Sequence, residues 1–202
     1  SSEHALTVEA PKADVGRGAR AQNTWRSLLG RDPTAQELKT VESLAGAELQ
    51  AFFLERDELY QRWWDAELHH LGLTGPHKPK GQPWDGLPAR LKAGRYSVQD
   101  AYYALLVGQS WNARYPGREA YVGAVLGMVL GPDKRLDPAL REASLRLYDG
   151  HESTLMGKRT KGQVGLVRVA VRHPEAKRYL LSRTFRALRG TEPTPQQLEV
   201  AT

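Results

Sequence analysis

The chain has 202 residues, no cysteine and a net charge of +6 at neutral pH. That length can bury a sizeable core in one domain, at most two. The missing thiols exclude disulfides, thiolate catalysis, zinc–thiolate sites and C-x-x-C-H haem attachment within the chain, and no apolar run nears the ~20 residues that span a bilayer as a helix.

In chain order, residues 1–18 are polar and small and read as a flexible leader. A chain whose export signal has been removed looks the same. Trp25, Leu28 and Leu29 fall at i, i+3, i+4 and predict a helix over about 19–29. Gly30 suits a left-handed helix stop, and Pro33 cannot extend the old helix. Thr34, with Glu37 three residues on, forms a capping box for a helix over 35–44. A third helix is expected over 47–54. A fourth, capped by Asp57, is expected over 58–71, with Leu59, Trp63 and Ala66 on its apolar face and Gly72 as its stop.

From 72 to 96 the helical period disappears. Four prolines and five glycines fill this stretch, which reads as a long surface loop with Trp84 as the anchor that pins it to the body. Ser97, with Asp100 at N3, starts a helix running to about 113, and Pro116-Gly117 break it. Residues 118–130 are apolar all round and predict the central buried helix. Gly123, Gly127 and Gly131 recur every four residues, a spacing that lets another helix approach. Asp137-Pro138 caps a helix that ends near Tyr148-Asp149-Gly150. Residues 151–161 read as a second loop. Residues 163–172 fit a helix through Val164, Val167 and Val171, and a strand through Val167, Val169 and Val171; with no partner strand in sight, helix is the reading. Pro174 opens the last full helix, to Arg189. The expected fold is all-α: one irregular domain over 19–190, of about eight or nine helices with a long Pro/Gly-rich loop.

One phrase occurs twice. Thr24–Leu38 returns as Thr184–Leu198 at an offset of 160 residues, with eight of fifteen positions identical. Each copy reads as a helix stop followed at once by a helix start. The Thr194-Pro195-Gln196-Gln197 cap opens a further helix over 191–202 that Thr202 cuts short, so the chain is expected to be a piece of a longer protein.

The charge is not spread evenly. Residues 1–150 carry 19 basic and 19 acidic residues. The block 151–190 carries ten basic residues against Glu152 and Glu175. Lys158, Arg159, Lys161, Arg168, Arg172, Lys177 and Arg178 are the candidate binding residues of a basic face. Such a block attracts anionic partners: acidic protein, nucleic acid or anionic lipid.

The sequence holds no complete catalytic constellation and calls for no cofactor. Glu67 and His70 form an E-x-x-H pair on a predicted helix, a spacing that lets both reach one metal ion. A carboxylate-bridged site needs more ligands than this single pair supplies. Gly157-Lys158-Arg159-Thr160-Lys161-Gly162 resembles the opening of a phosphate loop, but Gln163-Val164 stands where Lys-Ser/Thr is required. His151-Glu152-Ser153-Thr154 has suggestive residue types without a nucleophile elbow. Tyr179 and Phe185 are the basic block's only aromatics, and both fit an apolar stripe, so no stacking platform for nucleic acid emerges.

Taken together, Tyr148-Asp149-Gly150, Gly162–Val171, His173-Pro174-Glu175, Tyr179–Arg186 and Gly190–Leu198 follow a recognisable order. With Leu28-Leu29-Gly30-Arg31-Asp32-Pro33-Thr34, they resemble helical domains of unknown function in very large surface or periplasmic proteins of planctomycetes and myxobacteria. Those proteins often carry a c-type haem module elsewhere. Here Leu188-Arg189-Gly190-Thr191 replaces the family's Leu-Gly-Arg. The resemblance implies an exported helical module of the periplasm or cell surface and carries no catalytic residues; the residues themselves leave the cytoplasm open. The leading expectation is a non-catalytic interaction or scaffolding module that binds an acidic partner through the basic face. A nucleic-acid-binding protein is the alternative, and a metal-dependent enzyme using Glu67 and His70 the second.

Overall fold

A computed structural model describes residues 15–44, 46–81, 84–189 and 194. Among the described residues the fold is helical, with twelve α-helices, one 3₁₀ turn and a single two-stranded sheet. The all-α reading holds, with more and shorter helices than the eight or nine expected. The chain divides into two compact units, Ser1–Glu55 and Arg56–Thr202.

The first unit contains α1 (Val15–Leu29), α2 (Ala35–Glu42) and α3 (Gly46–Leu54). Helix α1 starts inside the segment read as a leader. Its stop is the expected one: Gly30 has φ 71°, and its N–H donates to the Arg26 carbonyl at 2.9 Å, closing the last turn without a Cβ clash. The Thr34 capping box also forms. The Glu37 N–H donates to Thr34 Oγ1 at 3.2 Å, and the Thr34 N–H donates to Glu37 Oε2 at 2.8 Å. Trp25 is fully buried. It meets Phe53 edge-on at 5.2 Å and Phe52 at 5.8 Å, so three aromatic rings supply much of this small core. The matching corner of the second phrase, 190–202, lies outside the described residues except for Thr194.

The second unit begins with α4 (Asp57–His70). Arg56, not Asp57, is its N-cap residue, and Asp57 sits in the first turn, where a carboxylate favours the helix dipole. The helix ends in a Schellman arrangement, with the Leu73 N–H on the Leu68 carbonyl at 2.8 Å and Gly72 on His69 at 3.0 Å. The stretch read as a loop carries structure of its own: a 3₁₀ turn at Gly75–His77 and α5 (Leu87–Lys92), whose second residue is Pro88. Proline is tolerated in a first helical turn because that N–H has no intrahelical partner.

Helix α6 (Val98–Val107) starts at the Ser97–Asp100 capping box, and α7 (Gln109–Arg114) follows after a break at Gly108. Helix α8 (Arg118–Leu130) is central, touching α9 (Pro132–Arg135), α10 (Pro138–Tyr148), α11 (Gly162–Arg172) and α12 (Pro174–Arg189). Its buried face is Tyr121, Val122, Val125, Leu126, Val129 and Leu130. It is not buried all round, because the opposite, small-residue face is only partly covered.

Residues 151–161 are not a loop. β1 (Glu152–Leu155) and β2 (Lys158–Lys161) form an antiparallel hairpin in which Glu152 faces Lys161 and Leu155 faces Lys158. Met156 and Gly157, with φ 49° and 78°, form its two-residue turn; left-handed backbone at both positions matches the twist of paired strands. The hairpin sits on α11 through Thr160. A Cβ at Gly165 would lie 2.3 Å from Thr160 Oγ1, so only glycine permits this approach. Residues 163–172 are helical, as expected.

Candidate functional site

Glu67, the first residue of the E-x-x-H pair, lies on the buried side of α4. Its Oε2 accepts from Arg183 of α12 and from the Tyr102 hydroxyl of α6. The guanidinium lies 5.3 Å from the Tyr102 ring centroid, and its second arm reaches the Met128 carbonyl of α8 at 3.4 Å. The carboxylate therefore links α4 to α6 and α12, and Arg183 carries the link on to α8. Burial pushes the Glu67 carboxyl up and the Arg183 guanidinium down, since removal from water disfavours both charges. The guanidinium keeps its proton at neutral pH, and two donors on one oxygen favour the carboxylate. His70, three residues on, is exposed instead; partial burial, then neighbouring His69, lowers its pKa. Glu67 is thus spent on a structural contact, and no three His, Cys, Asp or Glu side chains converge as metal ligands among the described residues.

Trp84 stacks on Trp64 of α4, with centroids 6.2 Å apart and planes 15° from parallel. This contact sets Trp84 against the buried side of α4.

The basic block divides by environment. Arg183 is half-buried in the Glu67 contact. Arg159 forms a fork on Glu152 at 2.7 and 2.8 Å, and Arg172 lies 3.6 Å from Asp100. Lys177 lines a small apolar recess with Leu180 and Leu181. Lys158, Lys161, Arg168 and Arg178 are exposed. Helix α11 places Arg168 and Arg172 one turn apart beside exposed Val164, and the hairpin packed on α11 carries Lys158 and Lys161.

A feature that sequence reasoning missed is a groove of about 930 Å³ along the partly covered side of α8. Ala120, Gly123, Ala124, Gly127 and Met128 form its floor; Tyr115 and Tyr179 line it, α9 contributes Arg135, and Leu136 follows directly after α9. Gly131 meets the Tyr179 ring of α12, 3.3 Å from a Cβ built there, while Gly123 and Gly127 face α9. The Arg135 side chain lies over them, 3.6 Å from a Cβ built at Gly123 and 3.5 Å from one at Gly127. The regular glycine spacing was the available signal; a helix that is small on one face leaves either a tight contact or a channel. No family model, curated protein or solved structure matches this chain.

Proposed function

We propose that this protein is a non-catalytic interaction module of an exported assembly, and that it holds an acidic protein partner through the face built from the hairpin and α11. The observation carrying this reading is the exposed set Lys158, Lys161 and Arg168 on two elements packed together. Packing of the hairpin on α11 fixes the backbone positions that carry these charges, which lowers the ordering entropy of meeting a complementary acidic surface. Long-range attraction speeds encounter and makes it salt-dependent. The likeness to large planctomycete and myxobacterial surface proteins supports export and the module role.

The test is retention of proteins from cell-envelope extract at about 50 mM and about 500 mM salt, using the wild-type chain and the Lys158→Glu/Arg168→Glu double variant. Acidic proteins are expected on the wild type at low salt only, and not on the variant. Retention of the same set by both chains, or none at low salt, overturns the reading. A DNA duplex that binds with steep log-salt dependence and is lost in the variant assigns the face to nucleic acid instead.

A further inference from the structure

We infer that the α8 groove is a docking site for an amphipathic helix of a partner protein, one with a small or apolar seam and an acidic residue beside it. The inference is separate from the cationic face of the hairpin and α11. The floor from Ala120 to Met128 rises about 12 Å, a little over two helical turns. Nothing on it is larger than alanine except Met128, whose thioether chain adapts to what it meets. A floor this shallow lets a second helix axis approach to about 8 Å. Leu136 stands beside it 76% exposed, a large apolar side chain without cover. These features fit the helix-in-groove mode of recognition.

Charge selects the occupant. Besides two tyrosines, the groove's ionisable residues are His70, Glu119, Arg135 and Arg141. Glu119 and Arg141 pair with each other. Arg135 has no acidic partner among the described residues; its aliphatic stem rests on Gly127 and its guanidinium Nε lies over Gly123. The groove thus presents an apolar floor under an uncompensated guanidinium. A carboxylate one turn along an entering helix pairs with Arg135 as that side chain swings off the glycines; a lysine there meets like charge.

The probe is a labelled helical peptide of about 14 residues, near the shortest length that holds helix in water, with Ala and Leu on one face and Glu on the other. Its counterpart carries Lys for Glu. Fluorescence anisotropy is expected to show the Glu peptide binding at least about tenfold tighter than the Lys peptide. Arg135→Glu is expected to reverse that order. Gly127→Leu fills the floor while improving the helix propensity of α8, so it is expected to stay folded by circular dichroism and to bind at least about tenfold more weakly. Lys158→Glu/Arg168→Glu is expected to bind the Glu peptide as the wild type does. Equal binding of the two peptides, no binding to the folded wild type, an unaffected Gly127→Leu chain, or loss in the Lys158→Glu/Arg168→Glu chain overturns the inference.

Discussion

Two glutamate–arginine pairs in the second unit use the same chemistry in opposite surroundings. Glu67 and Arg183 meet across 116 residues of chain, with side chains 5% and 13% exposed. Glu152 and Arg159 meet seven residues apart across a hairpin, 50% and 77% exposed. The hairpin pair is a full two-armed fork. Geometry alone would rank it highly, yet water already solvates both groups and salt screens them. Once the buried pair has been desolvated, neither member can lose the other cheaply. Environment therefore decides which contact holds the fold.

The largest expected effect follows from breaking the buried pair. Arg183→Ala leaves the buried Glu67 carboxylate without its cation, with the Tyr102 hydroxyl as remaining donor, and should cost about 3–5 kcal/mol, read as a lower urea midpoint with unchanged slope. Glu67→Gln keeps an acceptor for Tyr102 and should cost less. Glu67→Leu/Arg183→Met, which removes both charges, should recover most of the loss. A single-variant cost below about 1 kcal/mol would place this contact with the hairpin pair and erase the contrast.

Steric fit beneath the hairpin comes next. Gly165→Ala places a Cβ against Thr160 Oγ1 and should cost about 1–3 kcal/mol through overpacking. Thr160→Ala in the same chain should return part of that. If the paired substitutions are simply additive, the hairpin does not rest on α11 through this contact.

The two pairs also differ in how far the sequence discloses them. Contacts made within a few residues could be read in advance: the Gly30 stop and the capping boxes at Thr34 and Ser97 are fixed by donors and acceptors three or four positions apart. Glu67 could not be read this way. Its E-x-x-H spacing suggests a ligand pair, and only the packing of α12 on α4 brings Arg183 to it. The hairpin is local but was disguised. Its strands are four residues each, and Met156 occupies a left-handed turn position where Asn or Gly is the usual signal. The α8 groove was not legible, because regular glycine spacing says that something can approach closely without saying what does.

In the first unit, Glu37 lies between these extremes. Arg31 grips both its oxygens, at 2.8 and 2.9 Å. That contact, aided by the Thr34 cap against a smaller cost of burial, holds its carboxyl at about 2, below the ordinary 4.5. A depressed acid pKa contributes stability above the unfolded value and loses it as pH falls through the folded value. This unit should therefore weaken between about pH 4.5 and pH 2, read as Trp25 fluorescence in a chain whose other four tryptophans are replaced by phenylalanine. Arg31→Ala should flatten that dependence; an unchanged acid limb would assign it to other carboxylates.

The smallest expected effect on stability is at the hairpin. Glu152→Ala should leave the urea midpoint within error, and added salt should not separate it from the wild type. Binding should respond differently. Glu152 neutralises Arg159 and lies within electrostatic reach of Lys161, so its removal raises the positive potential beside Lys158 and Arg168. The Glu152→Ala chain should bind an acidic probe such as polyglutamate a few-fold more tightly at low salt, with the gain vanishing at high salt. A gain that survives high salt would mean the substitution exposes a new contact surface. No gain would mean that the hairpin's outer face takes no part in binding. On the proposed reading, one glutamate–arginine pair is measured in unfolding and the other in association.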